Sequence, residues 1–165
     1  MDYLIRPLAP ADKPFVWEML YQALHVPPGG TPFPRDIVNR PELRRYVEGW
    51  GRPDDTGFMA VEQNRRQPIG ATWLRLMTAE NRGFGYVDDA TPELSIAMLP
   101  EYRGRGIGSA LLVRLLDLAA SRYSAVSLSV ARGNPALRLY QRLGFEEIGK
   151  SDAALTLIKR WSGST

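Results

Sequence analysis

A chain of 165 residues, 44% of them apolar and 24% charged, is long enough to bury a core without crosslinks and unlike a disordered segment. It contains no cysteine, which excludes a disulfide framework, a thiolate zinc site and a cysteine nucleophile. The formal charge of +3 comes from 18 Arg and 3 Lys scattered against 18 acidic residues; with no basic stripe interleaved with aromatics and no reading-helix motif, nucleic acid is not an expected partner.

In chain order, "YLIRPL" alternates as a short strand, and "APADKPFVWEMLYQAL" follows as a helix with Asp12 as its expected cap. "HVPPGGTPFPRDIVNRP" is too rich in Pro and Gly for long regular structure and reads as a loop with a short helical piece at 35–39. A second helix is predicted over 42–48. "TGFMAVEQ" and "PIGATWLRLM", separated by "NRRQ", form a hairpin pattern, with "ELSIAML" (93–99) as the partner strand ended by Pro100. From Gly104 to about Arg122, Ile107, Leu111, Leu115 and Leu118 recur three or four apart, the spacing of a helix with one buried face. "AVSLSV" reads as a strand, "NPALRLYQRLGF" as a capped helix ended by Gly144, and "EEIGK" and "ALTLIKR" as two closing strands, with a frayed "SGST" tail. The expectation is a single mixed α/β domain over 1–165. The start, "MDYLIRPLAPADKPF", has no leader pattern and no apolar run reaches membrane-spanning length, so the expected setting is soluble and cytoplasmic, without a membrane.

One stretch raises the question of a ligand. In "LPEYRGRGIGSALLVRLL" three alternate glycines and two arginines stand where a helix begins. Glycine is entropically unfavourable there, and cations oppose the helix dipole. A helix N-terminus presents unpaired N–H groups, glycines allow close approach, and arginines add charge, which together suit a pyrophosphate. The dinucleotide pattern G-x-G-x-x-G fails, because its third place falls on Ser109 or Leu111, and a Walker loop lacks its G-K-[ST]. Taken alone, the stretch is also compatible with a glycine-rich turn feeding an ordinary helix.

What it does contain is R-x-x-G-x-G (Arg103, Gly106, Gly108) after a strand, which closely resembles the acyl-CoA-binding motif of the GNAT superfamily of N-acetyltransferases. The second half of that pattern follows in "NPALRLYQRLGF", with Asn134, Ala136, Tyr140, Gly144 and Phe145 in place. The resemblance implies a mostly antiparallel, twisted and splayed central sheet flanked by helices. It implies acetyl-CoA as acyl donor, no metal, and a small-molecule or protein amine as acceptor. It also implies that Met98 offers its backbone N–H to the thioester carbonyl, flanked by main-chain groups of Ala97 and Leu99 on the pantetheine arm. The amides of Arg103, Gly104, Arg105, Gly106, Ile107, Gly108 and Ser109 would cradle the pyrophosphate, with Asn134 as a helix cap that also touches the pantetheine.

Tyr140 is the candidate general acid, since a phenol with a reference pKa of about 10 can protonate a thiolate at neutral pH; a core tyrosine is the alternative. Glu93 is the candidate base, directly or through water, or else a strand-edge carboxylate in solvent. Trp73, Arg75, Phe84 and Tyr86 are candidates to line the acceptor pocket, although strand aromatics commonly serve as core. His25, the single histidine, makes no metal site. A serine hydrolase is disfavoured, since no G-x-S-x-G exists and "GKSDA" lies between closing strands. A non-catalytic acyl-CoA-binding module is the alternative to the enzyme, and a homodimer through the closing strands is an expectation from the family.

Overall fold

Alternation along the strands sorts their side chains onto two faces, and each face buries its apolar set under helices of matching period. The computed structural model describes residues 1–161; the "SGST" tail lies outside the described residues. In chain order the elements are β1 (Tyr3–Pro7), α1 (Lys13–Gln22), α2 (Pro41–Arg44), β2 (Thr56–Glu62), β3 (Gln67–Arg75), β4 (Glu93–Met98), α3 (Ile107–Ala120), β5 (Ala125–Ala131), α4 (Ala136–Arg142), β6 (Glu146–Lys150) and β7 (Ala154–Arg160).

The strands form one seven-stranded sheet in the order β1-β2-β3-β4-β5-β7-β6. Every neighbouring pair is antiparallel except β4 and β5. These two are parallel and share a single register pair, Glu93↔Ser127, beyond which Leu94–Met98 and Leu128–Ala131 part company. The sheet is therefore splayed at its centre.

On one face Leu74, Leu94, Val126, Leu128 and Leu157 pack with Leu111, Leu112 and Leu115 of α3 and with Tyr140 of α4. Each such leucine, removed from water, contributes roughly 2 kcal/mol of transfer free energy. On the other face Ala71, Trp73 and Ala97 pack with Val16, Met19 and Leu20 of α1 and with Tyr46, Val47 and Trp50 from the segment after α2.

Three local expectations need correction. Asp12 precedes α1 but does not cap it: its carboxylate accepts from the Ala9 N–H at 2.8 Å and from the Arg6 guanidinium at 2.8 and 2.9 Å, tying the helix start to β1. The second helix covers only Pro41–Arg44, because the chain tightens into turns that bring Tyr46, Val47 and Trp50 into the core. The third helix begins at Ile107 rather than Gly104, because Gly104 and Gly106 take left-handed φ values of 75° and 81°.

Candidate active site

The glycine-arginine stretch links the end of β4 to α3. Gly106 stands at the N-cap of α3, and the first helical bond runs from the Ala110 N–H to Gly106 O at 3.2 Å. The amides of Ile107, Gly108 and Ser109 precede it, in the turn whose N–H groups have no carbonyl within the helix to bond. A left-handed φ explains glycine at 106, but not at 108, where a Cβ would meet only Ile96 Cδ1 at 3.7 Å. The fold has no need of glycine there, so the bare backbone at 108 fits a bound phosphate group lying against the helix start.

The arginines do structural work at the same end. Arg103 Nε donates to Met98 O at 3.3 Å, and its NH2 group donates to Gln22 O at 3.2 Å, bracing β4 against the end of α1. Arg105 extends over the Tyr102 ring, 5.3 Å from its centroid. Asn134 Oδ1 accepts from the Ala136 N–H at 2.9 Å, so it does cap the start of α4.

Alternation of the β3–β4 ladder decides which β4 amides are available. Leu99 N–H donates to Ile69 O at 2.9 Å, and Ala97 stands opposite Ala71 in the same register. Both therefore face β3, whereas the Met98 N–H points the other way, into the gap where β5 has left. Of the main-chain groups expected on the pantetheine arm, the N–H groups of Ala97 and Leu99 are thus turned to β3, whereas that of Met98 is geometrically open.

Glu93 begins β4 at the last point of contact with β5. It is not the solvated strand-edge carboxylate that the sequence left open, since it is only 3% exposed. The Tyr46 hydroxyl donates to Glu93 Oε2 and accepts from the Phe84 N–H at 2.7 Å. Burial raises the Glu93 pKa to about 7, with the Tyr46 hydrogen bond and the Gly85 backbone pulling it partly back. The Tyr46 phenol is itself pushed well above its ordinary value by burial and by the Glu93 charge, so it stays a donor. Gly83 and Gly85 let the loop close over this pair: a Cβ on Gly83 would lie 2.1 Å from Glu93 Oε1, and one on Gly85 would lie 2.6 Å from the Leu128 carbonyl carbon.

Tyr140 is buried against Phe145, ring centroids 5.9 Å apart, and desolvation raises its pKa to about 12. It lies in the same apolar cluster as Met98 and Ile107. Glu93, through Tyr46, belongs to the opposite face. Glu93 and Tyr140 thus belong to opposite faces of the sheet.

Of the four acceptor-pocket candidates, two are withdrawn. Trp73 is fully buried, its indole N–H donating to Tyr46 O at 3.1 Å. Arg75 is 1% exposed and engaged by Asp55 at 2.8 and 3.0 Å and by the carbonyls of Arg45 and Glu48, so neither can meet a substrate. Phe84, 59% exposed, stacks on Tyr46, and Tyr86 donates to Asp89 on the same loop. No group of three or more His, Asp or Glu residues that could hold a metal occurs among the described residues.

A family model described as the acetyltransferase (GNAT) family matches residues 17–145. The chain belongs to that family. It is similar to an uncharacterized N-acetyltransferase of Methanocaldococcus jannaschii, 32% identical over 124 residues, which cover 71% of this chain and 51% of that one. It is also similar to a mycothiol acetyltransferase of Acidimicrobium ferrooxidans, 39% identical over 106 residues covering 62% of this chain and 31% of that one. The chain thus spans about half or less of the length of these relatives. Among solved structures, the PaiA N-acetyltransferase of Thermoplasma acidophilum in complex with coenzyme A shares the fold with a TM-score of 0.68 at 18% identity, over 98% of this chain and 100% of that one.

Within this GNAT chain the residue that sequence reasoning missed is Tyr46. It lies 47 positions from Glu93, in a turn segment without a motif. The one signal available was a tyrosine among the apolar residues Leu43, Val47 and Trp50 of "LRRYVEGW", which is more simply read as core.

Proposed function

We propose that this chain is an acetyl-CoA-dependent N-acetyltransferase acting on a primary amine in the cytoplasm. The observation that carries the reading is the splayed β4–β5 junction. An open Met98 N–H and the bare first turn of α3 lie on its strands' exits, and a buried carboxyl and a buried phenol flank it on opposite faces.

Acetyl-CoA, when bound, supplies an acyl group already activated as a thioester. The first-turn amides from Ile107 to Ser109 would hold its pyrophosphate, and the Met98 N–H would meet charge developing on the acyl oxygen. Glu93 takes a proton from the acceptor's ammonium, which leaves a neutral, nucleophilic amine. Tyr140, whose raised pKa keeps its proton in place at neutral pH, donates to the leaving sulfur. Phe84 gives the acceptor an exposed aromatic surface stacked on Tyr46, the hydrogen-bond partner of Glu93, which suits an amine carried on an apolar or planar group. Association through β6 and β7 belongs to the same reading: β6 is an edge strand, and its Ile148 is 43% exposed.

Calorimetric titration with acetyl-CoA and CoA, with NAD and ATP as comparators, tests the first half. Saturable binding of the two coenzymes alone is expected. Thiol release across an amine panel, free of background because the protein has no cysteine, tests the second. Failure to bind either coenzyme overturns the reading, and binding without turnover by any amine would make the chain a binding module instead.

A further inference from the structure

Arg45 and Tyr46 are consecutive residues in the turns after α2, and β3 holds their backbone in place. The Trp73 indole donates to Tyr46 O at 3.1 Å, and the Arg75 guanidinium donates to Arg45 O at 3.1 Å and to Glu48 O at 2.6 Å. From this fixed segment both side chains reach the loop between β3 and β4. The Arg45 guanidinium donates to Arg82 O, and the Tyr46 hydroxyl accepts from the Phe84 N–H at 2.7 Å. Two neighbouring side chains thus grip a strap of loop, residues 82–85, on either side of Gly83.

Gly83 lies against the Glu93 carboxyl. Its φ is not left-handed, so contact and not conformation calls for glycine: a Cβ there would stand 2.1 Å from Glu93 Oε1 and 2.6 Å from the Tyr46 hydroxyl oxygen. Gly83 and Gly85 are buried, while Phe84 between them is exposed, its ring stacked on that of Tyr46 with centroids 6.5 Å apart and 16° between planes. The Tyr46 hydroxyl meanwhile donates to Glu93 Oε2. A phenol has one proton to give and accepts through its lone pairs. Here both capacities are used, and one oxygen atom joins the carboxyl to the strap.

We propose that Tyr46 is a positioning residue for the acceptor side of the reaction: through its single hydroxyl it holds the Glu93 carboxyl and the strap that carries Phe84 in a set relation to each other. Its kinetic consequences rest on the acetyltransferase reading; the hydroxyl link does not. Catalysis by a held group is sensitive to displacements of about 1 Å, so a base and a substrate-facing ring gain from being fixed by the same atom. The hydrogen bond also favours the ionised carboxylate, against the burial that disfavours it. The groups facing Glu93 are Tyr46, the Gly85 backbone, and its register partners Ser127 on β5 and Arg75 on β3, the latter engaged by Asp55. From α1 come Val16, Met19 and Leu20, which carry no charge.

Amide hydrogen exchange on the full chain reads the link without substrate. The Phe84 amide is expected to be protected in the wild type. In Tyr46→Phe, which keeps the ring and loses the hydroxyl, it should exchange at least about tenfold faster while amides of the β5–β7 ladder keep their rates. A Phe84 amide unprotected in the wild type overturns the proposal even if the variant fails to fold, and equal protection in a folded Tyr46→Phe protein overturns it as well. In turnover assays the rising limb of kcat/KM should move to higher pH in Tyr46→Phe, because the carboxylate has lost a donor. KM for the acceptor should rise about tenfold and acetyl-CoA affinity should stay unchanged. Gly83→Ala, whose Cβ needs the strap to shift, should raise the acceptor KM in the same way. A limb that stays in place in Tyr46→Phe overturns the positioning of Glu93, and an acceptor KM unchanged in both variants overturns that of Phe84. Absence of turnover by the wild type with every amine counts against the acetyltransferase reading instead, and the exchange of the Phe84 amide still decides the link.

Discussion

At the scale of single residues, Glu93 is where chemistry and stability pull apart. A base acts only when deprotonated, so kcat/KM should rise with pH up to about 7, where burial has placed the Glu93 pKa, and level off above it. Glu93→Gln should abolish that limb and reduce kcat by about 10²-fold or more. The same carboxyl acts on stability with a definite sign. Its folded value of about 7 lies above the ordinary 4.5, so the native state binds the proton more tightly and loses stability as pH rises across that interval. At about 1.4 kcal/mol per unit, the ionised group costs roughly 3–4 kcal/mol. Thermal melts of Glu93→Gln should therefore exceed wild type at pH above 7 and coincide with it near pH 4; a uniform offset at all pH values would contradict the assigned pKa. Tyr140→Phe should retain coenzyme binding in calorimetry and lose about 10²-fold in kcat.

At the scale of elements, the start of α3 separates what glycine does for the fold from what it does for a ligand. Gly106 sits at φ 81°, where an L side chain is strained, so Gly106→Ala should lower the melting temperature through a cost of roughly 1–2 kcal/mol. Gly108 lies inside the helix with ordinary space around a Cβ, so Gly108→Ala should leave the melting temperature unchanged or raise it. Its effect should fall on acetyl-CoA affinity, with a loss of about tenfold, or ~1.4 kcal/mol, read by titration. Equal affinities would mean that the bare backbone at 108 plays no part in binding. Much of this element was legible beforehand, because the alternating glycines and the strand before them form a local pattern. The exact helix start was not, since left-handed φ at 104 and 106 is a property of backbone that glycine permits and does not dictate.

At the scale of the whole molecule, the Arg75–Asp55 pair locks together the sheet face that carries Tyr46. Arg75 on β3 reaches Asp55, just before β2, and the carbonyls of Arg45 and Glu48, so one side chain fixes the segment that carries Tyr46. Burial alone would raise the Asp55 pKa, but its hydrogen bonds from Arg75 outweigh this and leave it lowered. Arg75→Met should destabilise the protein by about 3–5 kcal/mol in chemical denaturation, because it strands a buried carboxylate. A loss well below that would mean that solvent reaches Asp55 once the arginine is gone. Arg75 and Trp73 looked like acceptor-pocket residues because a polar or aromatic side chain on a strand carries no mark of what will cover it. Here α1 and the turns after α2 cover them.

The sequence by itself determined the order of strands and helices, the cofactor-half motifs and the helix cap at Asn134, because each depends on residues a few positions apart whose periodicity or backbone preference is local. Only the tertiary structure decided that Glu93 is buried, that Tyr46 holds its Oε2, that Ser127 is its register partner on β5, and that Leu99 N–H is engaged by β3 while that of Met98 is not. These facts follow from strand register and from a loop closing over a sheet face. Both are set by contacts between segments far apart in the chain, and no local pattern encodes which partner a buried polar atom will meet.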